Sequence, residues 1–423
     1  MLEKRKTKVL IVTYAYPPVS SPGAMRAYHF ANDLAVFGHD VTVLKCSNPY
    51  SSMIGDMLPN NDAIKFIDVK DLIDKTSFSG LKDGQRRKPS FKARLLNALI
   101  YPDRDFSWIP SVLLDKRLKQ SRYDFVIGTY PNATNLLLAK AISKRSSAKL
   151  VLDMRDLWTQ DHSFLEKSLL KRVADKILEH KVMKSADFVI NVSDFNSNVM
   201  RSFLSFRCFT AKVLTIRNGF DYEKLKKIRE DFAPCSHRPE YFEMAYAGSF
   251  YRGERDPSDL FSVLQILSGK RLIKPNDFVL NIYGNPEKEI IDLVEKYRVN
   301  DFVRFEGSLC QDKLFQKLLS ADCLWILTRK SLLARGEMTT KVFEYIGLGK
   351  PIVCQSGPDF EIKKVLNQVG NAFSVDFGDH SQLEKIILKL IKEKKLGRLD
   401  SLPIAERFSR IEASKELSCC LTE

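Results

Sequence analysis

Metal-ligand spacing is missing from this sequence. Its eight cysteines (Cys46, Cys208, Cys235, Cys310, Cys323, Cys354, Cys419 and Cys420) include no CxxC pair, and no metal cluster appears among its six histidines. That pattern disfavours a zinc site or a disulfide framework and favours reduced thiols in a cytoplasmic protein. No run approaches the roughly 20 apolar residues of a membrane span. No GxGxxG follows the first strand-like run, so a nicotinamide-dependent dehydrogenase is disfavoured. Repeats and low-complexity tracts are lacking too. The net charge of +15 points to anionic partners. It is spread along the chain without a zinc-finger, homeodomain or RNA-recognition signature, which ranks nucleic acid last. The opening "MLEKRKTKVLIVTYAYPP" has the basic-then-apolar order of a signal peptide. Its apolar run is short, however, and is needed as the first strand of the fold.

What is present is alternation. "KVLIVTY" (8–14) reads as a buried strand, "GAMRAYHFANDLAVFG" (23–38) as a helix ending on glycine, and "DVTVLKC" (40–46) as the next strand. The rhythm repeats through strands at 124–130, 148–154, 187–193 and 212–218, with helices between. Residues 221–241 are polar and charged and read as a linker. A second series then starts at "FEMAYAG" (242–248) and runs through strands at 278–284, 302–307 and 322–328. The reading is α/β: two tandem Rossmann-like domains, 1–220 and 242–400, with an inter-domain cleft. Residues 401–423 form a helix with apolar spacing that packs back.

Four stretches carry residues that core packing does not require. In "GEMTTKVFEYIGLGKPIV" (336–353), a helix begins near Thr340, so unpaired amides there suit a phosphate and Lys341 adds a full charge. Glu344, one turn on, shares a face with Lys341 and suits two ribose hydroxyls. In "YAGSFYRGERDPSDLF" (246–261), Gly248 and Ser249 let a ligand approach the backbone, and Arg252 and Arg255 suit a diphosphate. In "YAYPPVSSPGAMRAY" (14–28), Gly23 loosens a helix start and Arg26 lies one turn in, toward the cleft. In "VLDMRDLW" (151–158), Arg155 and Asp156 stand at a strand's carboxyl end beside Trp158, an arrangement that suits sugar handling. A plain Arg–Asp pair is the alternative there.

Taken in order, these marks resemble the nucleotide-sugar glycosyltransferases of the GT-B architecture, glycosyltransferase family 4 in particular. "YDFVIGTYP", "VLTIRNGFD", "LNIYG" and "FVRFEG" extend the resemblance over nearly the whole chain. It implies a C-terminal domain that binds a nucleotide diphosphate-sugar and an N-terminal domain that binds a glycan or lipid-linked acceptor. Lys341 and Arg255 would hold the diphosphate and Glu344 the ribose. Gly23 would touch the phosphate from the opposite domain, and Asp156 would lie near the donor sugar. Such enzymes retain anomeric configuration and need no metal or cofactor; cell-surface polysaccharide synthesis is the implied setting. Family members often carry another glutamate eight residues before the ribose-binding one. Here that position is Gly336, and Glu337 is displaced by one. An epimerase on the same fold and a catalytically silent sugar-nucleotide-binding subunit are the alternatives.

Two basic segments, 81–104 and 168–187, are candidate contacts with an anionic membrane surface; a solvated helix face is the alternative for the first and the preferred reading of the second. They fit a cytoplasmic protein that is peripheral at the inner face of the membrane.

Overall fold

The computed structural model describes residues 5–49, 58–73, 101–232, 240–285, 287–399 and 401–422. Most of the basic segment 81–104 lies outside the described residues. The chain divides into two compact units, one of Met1–Arg217 with Ala413–Glu423, the other of Asn218–Glu412.

The first unit is a seven-stranded parallel sheet in the order β3-β2-β1-β4-β5-β6-β7. Its strands are β1 (Lys8–Val12), β2 (Asp40–Cys46), β3 (Lys65–Val69), β4 (Phe125–Tyr130), β5 (Lys149–Met154), β6 (Phe188–Asn191) and β7 (Lys212–Thr215). Side chains alternate across a strand, so β1 sends Leu10 and Val12 to one apolar layer and Val9 and Ile11 to the other. Burial on both faces explains why the strands are almost continuously apolar. The C-terminal helix Arg410–Cys420 supplies Ala413, Leu417 and Cys420 to the second of these layers, beside Phe30 and Leu34. Its Ser414 hydroxyl donates to Asp33 at 2.6 Å, and Ser418 lies 2.7 Å from His39 Nε2.

The second unit is a six-stranded parallel sheet in the order β10-β9-β8-β11-β12-β13. It comprises β8 (Phe242–Ala247), β9 (Phe278–Tyr283), β10 (Val303–Gly307), β11 (Cys323–Leu327), β12 (Ile352–Ser356) and β13 (Ala372–Asp376). Trp325 of β11 is buried against Tyr246 of β8, ring centroids 5.3 Å apart. The helix Thr340–Leu348 connects β11 to β12. Gly349 ends it in the left-handed region (φ +72°), where glycine avoids a Cβ clash. At Gly347 a β-carbon would come within 2.8 Å of the Phe220 ring.

The stretch 221–241 contains the helix Tyr222–Glu230, which belongs to the second unit rather than bridging two bodies. Its Asp221 cap accepts from Lys224 N at 3.0 Å, and Leu225 is buried. Leu225, with half-buried Tyr222 and Ile228, anchors a helix whose other positions are charged.

Both sheets have the same mononucleotide-fold order, reversing direction between β1 and β4 and between β8 and β11. Two parallel sheets in this order define a two-domain Rossmann-like fold of the GT-B type.

Candidate functional site

In open parallel sheets, ligands collect outside the carboxyl ends of the strands where the order reverses. In the second unit two loops flank that place, residues 248–257 after β8 and residues 328–339 after β11. Arg255 comes from the first and Glu337 from the second. Arg255 is buried, and its Nη2 donates to Glu337 Oε1 at 3.0 Å. Its guanidinium lies 4.8 Å from the centroid of the Tyr251 ring. Arg329 approaches the same ring at 5.2 Å, pairs with Glu254 at 2.9 Å and stands 3.8 Å from Glu337.

Lys341 enters from the helix Thr340–Leu348. Its ammonium lies 5.3 Å from the Tyr246 ring centroid and directly against Gly248. Gly248 has φ +129°, and a β-carbon there would fall on the ammonium. Glycine is therefore required both by the backbone and by the lysine. Lys341 makes no ion pair with any described residue. Burial, with Arg255 nearby, pushes its pKa down to about 8 against the pull of Glu344 and Glu337. A half-buried cation without a counter-ion is costly unless something anionic joins it.

The helix beneath Lys341 starts from Thr339, whose extended backbone (φ −76°, ψ 154°) caps it while its hydroxyl makes no capping bond. The Val342 amide donates to the Thr339 carbonyl at 3.2 Å, and the Lys341 amide lacks the usual side-chain acceptor. Glu344 lies one turn further on and is half-buried; burial raises its carboxyl pKa, opposed by Arg410, Lys341 and Lys224. Tyr246, Arg255, Glu337, Thr339, Lys341 and Tyr345 line one small cavity.

Two expected phosphate ligands, Ser249 and Arg252, lie on a turn apart from the cavity that Lys341 and Arg255 line. The turn after β8 is already filled by a carboxylate of the same unit. Glu287 accepts from the amides of Phe250 (2.9 Å), Tyr251 (3.1 Å) and Arg252 (2.6 Å), and from the Ser249 hydroxyl. Burial alone would raise the Glu287 carboxyl, but these donors hold it below its ordinary value. Ser249 is thus committed to Glu287. Arg252 sits exposed on a left-handed turn (φ 56°), and its side chain does not line the cavity. Successive amides that turn inward make a nest for any anion, and here the chain supplies its own.

In the first unit the reversal falls between β1 and β4. Gly23 opens the helix Pro22–Val36, whose Ser21 hydroxyl accepts from Ala24 N at 3.2 Å. Arg155, just past β5, donates from Nε to the Tyr130 carbonyl at 2.8 Å. Its guanidinium covers Gly23, where a β-carbon would lie 2.5 Å from Nη2. Asp156 is exposed beside it, and Trp158 stacks on Tyr130 with centroids 5.4 Å apart.

Arg26 is buried, and Nε and Nη2 grip Asp153 at 2.9–3.1 Å. Nη1 and Nη2 also donate to the carbonyls of Arg217 and Ile216 at 3.2 and 3.0 Å. All three nitrogens are used inside the unit, so Arg26 is a strut between helix and sheet. A buried Arg–Asp pair of the same unit is that of Arg26 with Asp153.

The structure thus gathers Arg255, Glu337, Lys341, Glu344, Gly248 and Thr340 in one unit, and Gly23, Arg155 and Asp156 in the other. Arg329, Glu287 and Asp153 were missed. Arg329 had a legible signal, since it directly follows a strand end on the working edge. The partners of Glu287 lie 35–38 residues away, and no spacing rule points to them.

Enzymes that handle nucleotide sugars are among the solved structures with this fold. Sucrose-phosphate synthase from Thermosynechococcus elongatus is 14% identical, with a TM-score of 0.58 over 99% of this chain and 95% of that one. HepE from Anabaena, in complex with UDP, is 13% identical with a TM-score of 0.60 over 98% and 100%. A Listeria monocytogenes protein assigned as a UDP-N-acetylglucosamine 2-epimerase is 11% identical with a TM-score of 0.50 over 99% and 96%. At these identities the likeness establishes the fold. No protein-family profile matches the chain, and no curated protein does.

Proposed function

We propose that this chain is a glycosyltransferase that moves a hexosyl group from a nucleotide diphosphate-sugar to a glycan or lipid-linked acceptor, with retention and without a metal. Cell-surface polysaccharide synthesis is the setting we assign to it, following the family 4 resemblance. One observation carries the reading: the Lys341 ammonium rests on Gly248 without an ion pair, beside Arg255 and the start of a helix. The UDP complex of the similarly folded HepE supports a nucleoside diphosphate as the occupant.

As the glycosidic bond of the donor breaks, negative charge gathers on the departing diphosphate. The Lys341 ammonium and amide together with Arg255 would attract that group more strongly than the intact donor, which lowers the barrier. Glu344 would accept the ribose hydroxyls. Glu337, bound to Arg255, would hold the guanidinium toward the diphosphate. Gly23 would serve the donor phosphate and Arg155 the acceptor, with Asp156 near the transferred sugar.

Thermal unfolding across a panel of nucleotide sugars tests the donor. A true donor at 100 times its Kd stabilises by about 2.7 kcal/mol, and a flat response across the panel sinks the proposal. Product analysis separates the rivals. Transfer needs an acceptor, whereas an epimerase converts the donor alone. Binding without either reaction identifies a silent subunit.

The site also sets a pH dependence. Free Lys341 carries its charge below about 8 and loses it above. Affinity for UDP is therefore expected to be flat from about pH 7, above the second ionisation of a terminal phosphate, up to that pH and to fall by about tenfold per unit above it. The inflection should vanish in Lys341→Arg, whose charge persists throughout. Isothermal titration at several pH values checks this, and a wild-type curve without the break contradicts it.

A further inference from the structure

We infer that the helix Leu169–Met183 of the first unit docks the chain on an anionic lipid surface. The helix and the turn before it expose a row of large apolar side chains at intervals of four, Leu165, Leu169, Val173 and Ile177, with Leu170 alongside. Leu169 and Leu170 are 72% and 84% exposed, and the other three are half exposed or more. An amphipathic helix ordinarily turns such a row inward.

Here the inward face is made by other residues. Both acids of the helix are buried: Asp175 accepts from the Tyr101 hydroxyl at 3.2 Å and from Lys167 Nζ at 2.7 Å. Glu179 accepts from Thr159 N at 3.3 Å and from the Thr159 hydroxyl. Val182 and Met183 complete that side. The outward face therefore holds the apolar row, flanked by exposed Lys176 and Lys181, with Lys184 just past the end. Glu166, in the preceding turn, is the exposed acid next to it in sequence.

From Leu169 to Ile177 the apolar side chains are bordered by lysines with no exposed carboxylate among them, which matches a headgroup layer: the row enters the acyl boundary while the lysines meet lipid phosphates. Charge also chooses between occupants. A second copy would bring the same lysines face to face on a chain of net charge +15, whereas an anionic bilayer complements them.

Flotation of the full chain tests this, with vesicles of phosphatidylcholine alone and of phosphatidylcholine with phosphatidylglycerol. Flotation is expected with the second and not the first, and should weaken as salt rises. Each lysine contributes about fivefold, so Lys176→Gln, Lys181→Gln and Lys184→Gln together should lower binding about a hundredfold. Leu169→Ser with Leu170→Ser should abolish it. These side chains are exposed, and circular dichroism would verify that the variants fold. The inference is overturned if wild type does not float, or if both variants float like wild type. Sedimentation showing a wild-type dimer that the leucine variant lacks also overturns it, by assigning the face to a second copy. Vesicle binding does not depend on sugar transfer, so failure of the proposed reaction and failure of docking remain distinguishable.

Discussion

Lys341→Met is expected to lower turnover by roughly 10²–10³-fold while leaving the protein at least as stable as wild type. The rate loss is the usual consequence of removing one positioned donor from a site of developing negative charge. The stability half follows from linkage. In the unfolded chain a lysine keeps its proton to about 10.4, whereas folded Lys341 releases it at about 8. Between those values the unfolded chain binds more protons, so stability rises with pH across that window. At neutral pH the folded protein carries the whole penalty of the half-buried charge, and methionine removes it with little loss of packing. Steady-state rates with saturating donor and a thermal melt decide the matter together. A normal rate takes Lys341 out of the site. A slow but destabilised enzyme makes the lysine a structural residue.

Asp153→Asn carries the largest expected loss of stability, about 3–5 kcal/mol, because it strands a buried guanidinium. Asp153 is fully buried and Arg26 nearly so, and their bonds tie the first helix to β5. Replacing both, as Arg26→Met with Asp153→Leu, removes the unpaired charge and is expected to recover most of the loss. Denaturant unfolding followed by tryptophan fluorescence reads this, since Trp108 and Trp158 lie in the same unit. If the single variant unfolds like wild type, the pair is not holding the sheet to its helix.

The alternation of apolar runs and amphipathic stretches was enough to place most strands, because a sheet buried on both faces leaves little choice of residue. β3 escaped notice since only Ile67 and Val69 are buried in it; the Trp108 indole, which donates to the Val69 carbonyl at 2.9 Å, secures it from 39 residues away. β13, which the sequence reading also left out, pairs with β12 and is half-exposed except for Val375. At the candidate site, Lys341 and Glu344 were legible as a helical pair at a strand's working edge. Arg255 was legible as a loop cation, but its contact with Glu337 spans 82 residues and follows from strand order alone. Arg26 and Arg252 are hard to read from sequence for opposite reasons. A charge near a turn gives no sign of whether an acid waits inside the sheet, as Asp153 does, or whether the side chain faces water.

The C-terminal helix has a consequence for biosynthesis. Leu417 and Cys420 complete a layer whose other members, apart from Ala413 and Leu421, all precede residue 217. A nascent chain that has emerged as far as β7 therefore still exposes the patch around Phe30 and Leu34. It must wait while nearly two hundred further residues are translated before that patch is sealed. Emerging amino-terminal lobes usually mature first; this one reaches its final form last.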